Sequence, residues 1–139
     1  MSILNSILKT FVGDKTKKDL ANIKPLVSQI NQLQAQLETL SADALRAKTE
    51  VLKQGIQDNR KAEDEQIQNL KEQLAQQKDI DARESLYLEI DELEEQSYQS
   101  TKAFLDQILP EAFAIMKETA RRFATQSQIT VTATATDRT

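Results

Sequence analysis

The sequence predicts an almost wholly helical protein: mostly α, with long helices, an antiparallel coiled-coil-like hairpin and a strand-like C-terminal tail. Three observations carry this expectation. Only two Gly and two Pro interrupt 139 residues, too few for a fold built on many tight turns. Apolar residues recur at spacings of three and four along most of the chain, the period of one helix face. Aromatics make up 4% and Trp is absent, so narrow aliphatic stripes must bury most of the apolar surface.

The same composition excludes several chemistries. The chain has no Cys and no His. That removes disulfides, thiolate nucleophiles, most zinc sites and imidazole acid–base catalysis. Absence of Cys fits a reducing cytoplasm. A net charge of −4 argues against nucleic acid as a partner. No apolar run approaches the roughly 20 residues that span a bilayer. The start lacks a charged region ahead of an apolar stretch and a small-residue cleavage site, so no signal peptide is read.

Residues 1–13 place Ile3, Leu4, Ile7, Leu8 and Phe11 on one stripe of a helix that Gly13 ends or bends. Lys9, Lys15, Lys17, Lys18 and Lys24 outnumber Asp14 and Asp19, giving this region a net +3. Within residues 14–53, Leu20, Ile23, Val27, Ile30, Leu33, Leu37 and Leu40 mark a helix with one packed face. Pro25 either opens that helix as a first-turn residue or kinks it. Ser41 stops it and is placed to N-cap a helix beginning at Ala42.

Residues 54–99 are rich in glutamine and charge. Ile67, Leu70 and Leu74 form a seam that fades near Lys78, and Asp81 with Glu84 reads as a capping pair for a second helix. Leu86, Ile90, Leu93 and Ser97 continue the seam, so the two helices form an antiparallel hairpin. Between Asp58 and Glu95 thirteen acidic residues face five basic ones, making this arm −8. The neighbouring Glu92, Glu94 and Glu95 point in different directions on a helix and have no imidazole beside them, so they read as solvated charge rather than a catalytic or metal site.

In residues 100–125 hydrophobicity returns at Phe104, Ile108 and Phe113. Pro110 sits where a helix is expected to start, with Glu111 in its first turn and Arg121 and Arg122 complementing the dipole at its end. In residues 126–139 Ile129 and Val131 alternate with Thr, as in a strand. A lone strand leaves its backbone groups unpaired, so this tail needs a partner or frays.

Two segments, LSADALRAKT at Leu40–Thr49 and ILPEAFAIMKETARR at Ile108–Arg122, resemble the SecA family, the motor ATPases of bacterial preprotein export. Leu40–Thr49, LSADALRAKT, resembles the family's LS-x-x-EL-x-x-KT signature, with Ala44 in place of the Glu that completes a capping box. Ile108–Arg122, ILPEAFAIMKETARR, resembles its LPEAFA-x-x-REA-x-x-R helix. The apolar start followed by a basic stretch matches in order and placement. The middle departs from the pattern: some 45 charge-rich residues stand where most members have a short connection, and they read as a lineage-specific helical insertion.

The resemblance implies a motor that uses ATP and Mg to drive preproteins through the SecYEG channel. It places that motor in the cytoplasm and peripherally on the cytoplasmic face of the inner membrane. It also implies that Ile3, Leu4, Ile7, Leu8 and Phe11, with Lys9, Lys15, Lys17 and Lys18, contact anionic phospholipid and the channel. The family's adenine-contacting glutamine motif and Walker A loop, G-x-x-x-x-G-K-[ST], are expected after the PEAFA helix. Gly13 and Gly55 are the only glycines, and neither lies in such a loop. No ATP contact is therefore expected here: no catalytic, cofactor or metal site, and no activity from this segment alone. The partners expected are the rest of the motor, the channel, the lipid and preprotein substrates, with self-association through exposed seams. The alternative is a free-standing coiled-coil adaptor or chaperone.

Overall fold

The computed structural model describes residues 3–138, with side chains from Lys17 onward except Thr136. Three helices follow one another: α1 (Ile3–Leu37), α2 (Ala42–Gln76) and α3 (Ile80–Thr125), then a short 3₁₀ turn at Thr136–Arg138. At 46 residues α3 is about 69 Å long.

α2 and α3 form the expected antiparallel hairpin. Lys48 pairs with Glu111 at 2.9 Å, Gly55 lies against the Phe104 ring, Asn59 donates to Ser100 at 3.3 Å, and Lys71 pairs with Glu94 at 2.7 Å. A helical glycine costs about 1 kcal/mol relative to Ala. Here a Cβ on residue 55 would meet Phe104 Cζ at 3.0 Å, so the missing side chain is what lets the ring lie on α2.

α1 joins the other end of the hairpin. Asn31 accepts from Lys117, Gln34 lies beside Glu118, and Glu38 faces Arg121. Partner numbers rise together, so α1 runs parallel to α3 and its N-terminus points toward the hairpin tip. The core sits where the three helices meet: Leu37, Leu45, Ala114 and Ile115 are buried, with Ile30, Leu33, Leu40 and Leu52 packed against them.

Several boundaries differ from expectation. α1 passes through both Gly13 and Pro25 without ending, and α3 passes through Pro110. Proline inside a helix removes one N–H and costs about 3 kcal/mol. Pro110 is itself buried between α-helical turns whose neighbours Ala114 and Ile115 make the core, and that packing offsets the lost bond. The hairpin arm and the PEAFA segment are consequently one unbroken helix. α3 is N-capped by Asp79, which accepts from the Ala82 amide at 2.8 Å; Asp81 is not the cap but lies within the first turn. Ser41 caps α2 as expected, accepting from the Ala44 amide at 3.1 Å.

Among the described residues there is no strand. The tail instead runs back beside the start of α2. Thr132 donates through its amide (2.9 Å) and its hydroxyl (2.6 Å) to Asp43, and Arg46 bonds both the Thr132 carbonyl and Asp137. These bonds, the Thr132 hydroxyl first, hold the Asp43 carboxyl below its ordinary pKa.

Candidate attachment face and the junction that positions it

Both helix corners are closed by an arginine from α3. At the tip, Arg83 donates to the carbonyls of Leu74 (2.8 Å) and Gln77 (2.9 Å), which the end of α2 leaves without intrahelical donors. At the base, Arg122 closes the turn after α1, donating to the carbonyls of Leu37 (3.1 Å), which also accepts from the Leu40 amide, and of Leu40 (2.9 Å).

Arg122 is itself held by Glu118, whose side chain is fully buried. Glu118 accepts from Arg122 Nε at 2.7 Å, from Arg121 Nε and Nη2 at 2.8 Å each, and from Gln34 at 3.5 Å. The Arg121 bonds foremost, with those from Arg122 and Gln34, lower its pKa to about 2 against the opposing effect of burial. Arg122 lies in the last turn of α3, where it complements the helix dipole as expected, and with Arg121 it also clamps α1 onto α3. Sequence reasoning missed Glu118. The available signal was its position four residues before Arg122, on the same face as the apolar Ala114 and Ile115.

Above this clamp the apolar stripe of α1 is uncovered. Val27, Ile23 and Leu20 are 45, 50 and 55% exposed, rising with distance from the junction. At about 100° per residue they share the face of Gln34, which at the clamp points to α3. Above Pro110, however, the positions of α3 nearest that direction are Gln107, Ala103 and Gln96, all exposed, with no large apolar side chain among them. The expected packed face of Leu20–Leu40 is therefore packed only in its second half. Of the residues expected to make the membrane and channel contact, Lys17 is exposed and flanks this stripe, as does Lys24, while Lys18 is exposed on the opposite face of α1. The side chains of Ile3, Leu4, Ile7, Leu8, Lys9, Phe11 and Lys15 lie outside those described.

The acidic trio is dispersed: Glu94 pairs with Lys71 across the hairpin, while Glu92 and Glu95 accept from Gln96 and Gln99 of their own helix. Both glycines sit in helix interiors, and Gly55 is covered by Phe104. Neither can bring successive backbone N–H groups onto a phosphate, so the residues present do not fit a nucleotide cradle. No helix among the described residues is long and apolar enough to cross a membrane.

The family model for the SecA DEAD-like domain matches residues 8–136. The chain is 51% identical over 138 residues to the protein translocase subunit SecA of Flavobacterium psychrophilum, covering 99% of this chain and 12% of that protein. It is 46% identical to that of Christiangramia forsetii, with the same coverage, and 42% identical to that of Porphyromonas gingivalis over 96% of this chain and 12% of that protein. The chain thus spans about 12% of the length of these curated relatives, and the alignments run across the 54–99 arm. No solved structure matches it. With the family model aligned over all but its ends, the chain belongs to the SecA family.

Proposed function

We propose that this chain is the amino-terminal part of a SecA-type motor that couples ATP hydrolysis to preprotein translocation through SecYEG. In it, the segment supplies membrane and channel attachment and helical scaffold, while the nucleotide site with its ATP and Mg lies elsewhere in the parent. The motor works in the cytoplasm and peripherally on the inner membrane. The observation that carries the attachment role is the uncovered first half of α1, with Leu20, Ile23 and Val27 exposed, Lys17 and Lys24 flanking them and Lys18 exposed on the far face. Each buried aliphatic side chain contributes roughly 1.5–3 kcal/mol, and each lysine near an anionic leaflet adds about 1 kcal/mol. Residues 3–16 extend the same helix away from the junction. No finding supports the free-standing adaptor.

Co-sedimentation with vesicles tests this reading. The chain is expected to pellet with anionic and not with neutral lipid. Reversing Lys17 and Lys18 to Glu removes at least about 2 kcal/mol, so binding weakens by about thirtyfold. Ile7→Asp abolishes it if the apolar stripe inserts. Equal pelleting with both lipids contradicts the proposal.

A further inference from the structure

The seam between α2 and α3 changes chemistry halfway along the arm. At the base its large apolar side chains are Leu45, Leu52 and Ile56 on α2 and Phe104, Ile108 and Ile115 on α3, all buried or half-buried. At the tip they are Ile67, Leu70 and Leu74 on α2 and Leu86, Ile90 and Leu93 on α3. Between the two stretches the buried and half-buried positions are Asn59 and Glu63 on α2 and Ser97, Ser100 and Thr101 on α3, with no large apolar side chain among them. This polar belt runs from Ile56 to Ile67 on one helix and from Leu93 to Phe104 on the other, about 16 Å of rise on each.

Cohesion across the belt is weak. Asn59 and Ser100 exchange hydrogen bonds of 3.3 and 3.5 Å, at and beyond the long end of the normal range. Ser97 is only 6% exposed, yet it buries nothing larger than a hydroxymethyl group. The buried Thr101 hydroxyl has no partner among the described residues. A cleft of about 330 Å³ opens here, with Ile67, Ser97, Tyr98 and Thr101 on its walls. The Lys71–Glu94 pair, which crosses the hairpin on the tip side, is half exposed at both ends and therefore screened. α1 adds no brace, since Ala103 and Gln107 on the side of α3 toward it are exposed.

Both helices run unbroken through the belt, so the backbone connects tip to base while side-chain packing does not. Packed apolar contact is what makes neighbouring segments open together, and cooperative units part where it lapses. We propose that the belt is a joint: the tip of the arm, residues 64–96, opens and moves as a unit apart from the base, which the Glu118–Arg122 clamp ties to α1.

The tip holds eleven acidic residues against three basic ones, so the joint steers a body of net charge −8 while the base and the clamp stay in place. The motion uses neither lipid nor nucleotide, and its test is separate from that of the attachment role.

Amide hydrogen exchange on the whole folded chain reads the joint directly. Amides in 67–74 and 86–93 are expected to exchange at a common rate, at least about tenfold faster than those in 45–52 and 108–115, with the step inside the belt. Leu70→Ala leaves a gap in the tip seam; it is expected to speed the tip by about tenfold or more and to leave the base within about twofold of wild type. Asn59→Leu/Ser100→Leu replaces both partners of the cross-belt hydrogen bond by aliphatic side chains and is expected to slow the tip by about fivefold or more, shrinking the step. Thr101→Val removes the unpartnered hydroxyl at nearly constant shape and shifts the tip in the same direction, which keeps the test intact if two leucines overpack the seam. A single level of protection through arm and base, or a smooth decline with no step at the belt, overturns the inference. So does a Leu70→Ala effect that spreads equally into the base, or a tip whose rate neither belt variant changes.

Discussion

Replacing Glu118 by Ala removes the anion at the centre of the α1–α3 clamp, and the structure sets the size of the effect. Arg121 is 37% exposed, so its ion pair is screened and contributes at most about 1 kcal/mol. Arg122 is only 7% exposed in its side chain, and without Glu118 it becomes a buried cation with no counter-charge. Breaking a buried pair in this way costs about 3–5 kcal/mol. The lower figure applies here, because Arg122 keeps the Leu37 and Leu40 carbonyls as acceptors. For a chain of this size, about 3 kcal/mol lowers the melting temperature by roughly 10 °C. Urea unfolding followed by circular dichroism reads the loss, and hydrogen exchange in residues 30–40 shows whether α1 is what comes loose.

The pH dependence has a defined sign. The folded-state pKa of Glu118 is lowered from 4.5 to about 2, so the folded protein binds this proton less tightly than the unfolded one. The stabilisation is therefore complete above about pH 4.5 and lost as pH falls toward 2. Glu118→Ala should remove that part of the acid transition while leaving stability near neutral pH flat. A variant within about 0.5 kcal/mol of wild type would place Glu118 with ordinary surface residues and refute the clamp.

Three further substitutions have expected outcomes. Ser41→Ala removes the N-cap of α2 and costs about 1 kcal/mol in the same unfolding assay. Gly55→Val drives two methyl groups toward the Phe104 ring, already 3.0 Å from a Cβ at that position, and destabilises by about 1–3 kcal/mol from overpacking. Asp43→Ala frees Thr132, so amides near residue 132 exchange faster while α3 stays protected. In wild type the same release occurs on acidification, as Asp43 protonates below its ordinary range.

The helical architecture and the hairpin were legible because periodic apolar spacing and scarce glycine both report local preference, which here agrees with the fold. Ser41 was legible for the same reason, a cap being a contact within four residues. Gly13, Pro25 and Pro110 misled as boundaries: a local breaker is read as a stop, but whether a helix ends there depends on packing from residues far away in sequence. The clamp was hidden for a related reason. Glu118 and Arg122 look like any surface pair one turn apart, and only the arrival of Gln34 and the Leu37 and Leu40 carbonyls, more than 80 positions away, buries them. The family resemblance was legible in Leu40–Thr49 and Ile108–Arg122, and the matched residues 8–136 extend it across the arm between them.

Titration calorimetry of the purified chain with ATP and Mg tests the division of labour most directly. With both glycines locked in helix interiors, no heat of binding and no nucleotide-dependent rise in melting temperature are expected. A saturable heat at one-to-one stoichiometry would mean that these helices hold a phosphate site after all, and would contradict a segment built for attachment.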